Sequence, residues 1–194
     1  MNRANDLSGR WFRGALRRIE IDESWDSAVE RLEAPARVLR SRPRIRSLLR
    51  GDWLGHALHP LMTDFPLGTW MSASLLDIMG RGRFDAASEH LLRFGVLAAV
   101  PTALAGLAEL PEADREARRV AVVHASVNSS ALALYAASLV ARRRKRWTLG
   151  MALGIAGGVT ATVGGYFGGH LSFVRGVGVE GGSAPPSEDE TPLV

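Results

Sequence analysis

Residues 149–169, LGMALGIAGGVTATVGGYFGG, carry no charged side chain. Such a run is longer than a globular core helix needs, and it matches the roughly 20 residues that cross a hydrocarbon core as a helix. Three further apolar runs precede it, and the pattern places spans at about 60–79, 90–110, 120–141 and 149–173. The expected fold is all-α: an integral membrane four-helix bundle over residues 53–179, behind a helical, basic N-terminal arm over 1–52. The glycine-, proline- and acid-rich residues 180–194 are expected to be a disordered tail. A soluble bundle competes with this reading, because Arg93, Glu109 and His124 interrupt the apolar runs. The mean hydropathy of +0.02 does not decide between them, since it averages a polar first quarter against an apolar remainder.

Within the fourth run Gly150, Gly154 and Gly158 recur at i+4, followed by Ala161, Gly165 and Gly169. A stripe of small residues lets a neighbouring backbone approach closely, so a homodimer through the fourth span is an expected use. Thr162, Tyr166 and His170 form a second stripe on another face. The third run carries a polar stripe of its own, with His124, Asn128, Ala131 and Tyr135 on one helical face. Arg142 to Arg146 then read as a tight basic loop before the interfacial Trp147.

The first run opens on His56-Ala57-Leu58-His59-Pro60, with Asp64 in its second turn and Asp77 near its far end. Pro60 suits the first helical position, which makes His59 the expected N-cap, and Pro66 should kink the helix or free a carbonyl for another partner. Ser88 is the expected cap of the second span, and Pro101 offers a second kink.

In the arm, Phe12, Ala15, Leu16 and Ile19 recur at helical spacing among arginines. That pattern suits a membrane surface or a helix packed on the protein's own loops. Ser24 and Ser27 offer caps, and Arg37 to Arg50 form a headgroup-facing flank. No apolar stretch in the first 50 residues resembles a cleavable signal, so the first span is expected to direct insertion. The sequence pI near 10.5 is better explained by anionic headgroups than by nucleic acid, which is not an expected partner.

The chain has no cysteine. Disulfides, thiolate-held clusters and cysteine nucleophiles are therefore excluded, and a metal or haem would need His, carboxylate, Met or Tyr. No hydrolase triad or phosphate loop occurs either. Alternation of four spans places His56, His59, Glu109, His124 and His170 at one membrane face, while His90 starts the second span on the other.

Such a cluster has three uses. Two imidazoles on different helices hold a haem b iron axially, with glycine faces giving the porphyrin room. Alternatively His59, His124, His170 and Glu109 hold a non-haem metal. In the third use the same groups brace the helices with no cofactor. The candidate binding residues are His56, His59, His124 and His170, with Asp64, Glu109, Asn128 and Tyr166 as outer partners orienting imidazole N–H groups. A proton-coupled transporter is a weaker fit, because most polar groups gather at one face.

The stretch Trp53-Leu54-Gly55-His56-Ala57-Leu58-His59-Pro60, continuing through Asp64-Phe65-Pro66-Leu67-Gly68, resembles the opening motif of the DUF2231 family of predicted membrane proteins. Gly164-Gly165-Tyr166-Phe167-Gly168-Gly169-His170-Leu171-Ser172, with Gly176-Val177-Gly178-Val179, resembles the family's end. The family pattern is similar to Gly-His-Pro-Leu-His-Pro, and here Ala57 takes the place of its first proline. The resemblance implies four spans without a settled activity. Some relatives carry a Rieske-type ferredoxin domain after the last span, which hints at redox company. Too few residues follow the last span here to hold one, so an electron-transfer partner is expected to be a separate protein.

The function expected is therefore electron transfer by a histidine-held haem or metal, with a cofactor-free structural or regulatory membrane protein as the alternative. The expected location is a bacterial plasma membrane. Both termini are placed in the cytoplasm by the arginine-rich arm, although Arg142 to Arg146 then lie outside.

Overall fold

The computed structural model describes residues 3–80 and 82–179. Its helices are α1 (Arg3–Ile21), α2 (Asp26–Arg40), α3 (Pro43–Arg50), α4 (Leu58–Gly80), α5 (Asp85–Glu109), α6 (Arg115–Arg143) and α7 (Trp147–Phe173). Short 3-10 turns lie at Glu23–Trp25, Asp52–Leu54 and Leu110–Glu112, and no strand occurs among the described residues. The expected tail, 180–194, lies outside them.

Among the described residues three helical stretches are long and apolar enough to cross a membrane: Asp85–Glu112, Arg115–Arg143 and Trp147–Phe173. The expected first span is also a single helix of 23 residues. It is not among the three, because His59, Thr63, Asp64 and Asp77 dilute its apolar character. Helix α4 packs along α5 and α6 packs along α7, and contacts of α5 with α6 and of α4 with α7 close a ring. Helices α4 and α6 therefore face each other diagonally and run in the same direction.

Local details depart from the sequence reading at the helix ends. Helix α4 starts at Leu58, so Pro60 is its third residue and His59 is not its N-cap. The carboxylate of Glu109, at the end of α5, lies beside the backbone N–H of His59 instead. Helix α5 starts at Asp85, which puts Ser88 inside the first turn, where its hydroxyl turns to Asp77 rather than capping. Asp22, not Ser24, is the capping side chain in the arm, accepting the Ser24 N–H at 2.9 Å. Helix α2 begins at Asp26, ahead of Ser27. Pro66 does free a carbonyl: lacking an N–H, it leaves Met62 O without its helical donor, and Thr102 Oγ1 from α5 lies 3.2 Å away.

The apolar side of α1 packs on the protein itself. Leu16 and Ile19 join a cluster with Ala113, Ala117, Val120, Leu171 and Val177 at one end of the ring. Ion pairs strap the arm down at the same end. Arg119 meets Asp26 at 2.7 and 3.0 Å and donates to Glu20 O at 2.8 Å. Arg115 reaches Asp26 at 2.9 Å, Arg118 reaches Glu33 at 2.8 Å, and Arg46 pairs with Glu112. The Arg119 guanidinium beside Asp26 holds that carboxyl below the usual aspartate range.

Candidate functional site

Under the arm, His59 of α4 and His124 of α6 meet edge to face with ring centroids 6.3 Å apart. His59 Nδ1 lies 2.8 Å from the Thr102 carbonyl on α5, and His124 Nδ1 lies 3.0 Å from the Gly164 carbonyl on α7. A carbonyl can only accept, so in both rings Nδ1 carries the proton and Nε2 keeps the lone pair of the neutral imidazole. Each ring lies on a glycine one turn further along the same partner helix. A Cβ on Gly106 would come within 2.9 Å of His59, and one on Gly168 within 2.9 Å of His124. Asn128, one turn along α6, donates to the His124 carbonyl at 2.9 Å and its amide nitrogen lies 3.2 Å from Nδ1 and 3.4 Å from Nε2 of that ring. It covers Gly164, where a Cβ would be 2.5 Å from its side-chain oxygen.

The other expected members of the cluster go elsewhere. His56 is exposed in the turn before α4. His170 Nε2 is 2.8 Å from the buried carboxylate of Glu20 on α1, so docking of the arm takes up this imidazole. Glu109 is buried near the start of α4, beneath Gly178, whose left-handed backbone (φ 73°) brings its Cα side so close that a Cβ would sit 2.6 Å from Oε2. The second carboxylate oxygen, Oε1, is buried with no hydrogen-bond partner. Asp64 is exposed on α4, and none of the hydrogen bonds among the described residues joins it to an imidazole. Tyr166 packs at a tilt against Phe12 of α1, with centroids 5.4 Å apart and planes at 53°. Among the described residues no group of three or more His, Asp or Glu side chains could hold a metal ion. Helical phase is the reason: sharing a membrane face does not make residues share an interior face.

The stripe through His124, Asn128, Ala131 and Tyr135 does point inward, and it continues to Ser138 and Arg142. Tyr135 stacks on Trp70 of α4 at 4.1 Å and 19°. Arg142, expected in the basic loop, is instead 2% exposed in the last turns of α6. Its guanidinium meets Asp77 at 2.5 and 3.0 Å, with Ser88 Oγ 3.2 Å and Ser138 Oγ 3.2 Å away. Ser88 in turn donates to Asp77 at 2.6 Å, and Ser138 to the Gly150 carbonyl at 2.6 Å. Two glycines of α7 are used within the chain: Gly150 seats the stem of Arg142 and Gly157 the ring of Tyr135, whereas nothing lies within 4 Å of a Cβ at Gly165.

These features define an all-helical membrane protein with a half-buried histidine pair at one end and a buried ion pair at the other. The family of predicted membrane proteins DUF2231 matches residues 55–181, and the chain belongs to that family. No curated protein and no solved structure matches it.

Proposed function

We propose that this is a four-span membrane redox component in which His59 and His124 hold one haem iron or one transition-metal ion between α4 and α6. The observation that carries the reading is the pair itself. Both rings are anchored through Nδ1 to a backbone carbonyl, the partner that ligating histidines commonly have on their other nitrogen, which leaves Nε2 as the donor. The two ring centroids are 6.3 Å apart with the planes at 83°. Two ligands are what a haem needs from the protein, and a linear two-coordinate ion needs no more. The bound group would supply one-electron chemistry. The chain's own part is to fix both tautomers, keep the rings in place on Gly106 and Gly168, and close the site under the arm. A separate protein is then the electron partner.

Two observations support α4 as the fourth span, within a membrane domain over residues 53–179. Its outer face carries Leu61, Phe65, Met71, Leu75 and Ile78, all more than half exposed. Its inner face meets α6 at His59, Trp70 and Asp77. From His59 to Asp77 is about 27 Å of helix, close to the roughly 30 Å of a hydrocarbon core.

The cofactor-free reading draws on one specific observation: the stack of Trp70 on Tyr135 lies on the same helical faces as the histidines and is pure packing. A reduced-minus-oxidised visible spectrum with elemental analysis, on protein purified with its native content, separates the two. A Soret band or a stoichiometric metal supports the redox reading. Neither one present overturns it and leaves the brace.

A further inference from the structure

Three contacts between α4 and α6 join residues at one constant offset. His59 meets His124, Trp70 stacks on Tyr135 and Asp77 pairs with Arg142, each pair 65 residues apart. The partner helices repeat the relation at an offset of 62. Thr102 and Gly164 are the carbonyls under the two histidines, and Gly106 and Gly168 are their seats. Gly95 lies under Trp70 as Gly157 lies under Tyr135. Ser88 touches Asp77 as Gly150 touches Arg142. The change of offset falls in the connections, where the second hairpin has the shorter turn.

Equivalent residues that touch must lie beside a two-fold axis, as at the centre of an isologous interface. We infer that α4–α5 and α6–α7 are two copies of one helical hairpin, related by a pseudo-two-fold axis running along the bundle, and that the Asp77–Arg142 layer makes unlike copies pair. Parallel repeats about an axis along the membrane normal have this geometry.

The three layers on the axis differ in what they say about partners. The histidine layer is symmetric and the aromatic layer nearly so, and either tolerates a like copy across the axis. The third layer is not tolerant. A first hairpin facing a first hairpin from another chain buries aspartate against aspartate, and two second hairpins bury arginine against arginine. Such unpaired buried charges are costly enough to exclude those assemblies. The partner this surface fits is therefore the chain's own other hairpin. The neighbours have diverged to match: Ala73 and Ser88 frame the aspartate, whereas Ser138 and Gly150 frame the arginine, whose stem leaves no room for a Cβ on Gly150. This inference does not depend on a bound metal.

The test exchanges the layer across the axis in the full chain. One variant carries D77R and R142D alone. The other carries the whole exchange, A73S, D77R, S88G, S138A, R142D and G150S. Thermal unfolding in detergent, followed by loss of the monodisperse species, reads the result. With a true two-fold relation, the complete exchange melts within a few degrees of the native chain, and the charge exchange alone melts far lower because the arginine moved to α4 lacks a glycine seat. A complete exchange no more stable than the charge exchange alone overturns the inference.

Discussion

Gly106 and Gly168 are where the histidine pair is most exposed to a single methyl group. At each, a Cβ would press on an imidazole from 2.9 Å, and the ring cannot retreat without giving up its carbonyl. Gly106→Ala and Gly168→Ala should each cost about 1–3 kcal/mol of stability, read as a lower melting temperature in detergent, with loss of any bound centre. Gly165→Ala is the control: nothing lies within 4 Å of its Cβ position, and the change should be neutral or gain up to about 1 kcal/mol from helix propensity. The histidines can be read from the sequence because ionisable groups in apolar runs stand out. Their neighbours cannot, since which carbonyl and which glycine lie beneath a ring depends on the register between helices. For the same reason the sequence places His170 beside His59, whereas its partner is Glu20, 150 residues away in the chain.

At the level of helices, α4 and α6 are joined by the buried pair of Asp77 and Arg142. Removing one partner leaves the other charge buried, so Arg142→Met should cost about 3–5 kcal/mol and appear as a large fall in melting temperature, while Arg144→Met, on the exposed turn, should not. Arg142 is hidden in the sequence by its own neighbours: at the head of a run of basic residues it looks like part of a loop. Only the helical phase, eighteen residues or five turns after His124, marks it as inward. The arm of α1 to α3 is legible as helical, with docking on the protein as one of two readings of its apolar face; its ion-pair partners are not legible, because Arg115, Arg118 and Arg119 belong to α6. Its docking should depend on pH. Asp26 has its carboxyl held below the ordinary 3.8, so its contribution is complete above that value and is lost as pH falls through the lowered folded value. Energy transfer between single fluorophores on Ser27→Cys and on the far turn at Arg83→Cys should stay constant on acidification to about the ordinary aspartate value and change below it. Asp26→Asn should remove the transition.

For the whole molecule, the number of crossings sets which ends face each other. Apolar runs alone suggest four spans, and three stretches meet that standard; α4 is carried by its pairing with α6 instead. Because the native chain lacks cysteine, single cysteines report sidedness cleanly. If α4 crosses, Ser27→Cys and Arg83→Cys in oriented vesicles react with an impermeant thiol reagent from opposite sides. Reaction from the same side would mean that α4 does not cross. The repeat of the two hairpins escapes the sequence for a plain reason. Across the matched helices the equivalent positions that remain identical are His59/His124, Leu67/Leu132, Leu91/Leu153, Gly95/Gly157, Ala99/Ala161 and Gly106/Gly168, too thinly spread to show as a repeat. If the two histidines are equivalent ligands beside that axis, neither alone should suffice. The most direct test is the haem and metal content per chain of the native protein against His59→Ala and His124→Ala, each purified in folded form. One centre per native chain, lost to the same extent in both variants, is the predicted result. A native chain with no centre, or a centre that survives either substitution, would contradict it.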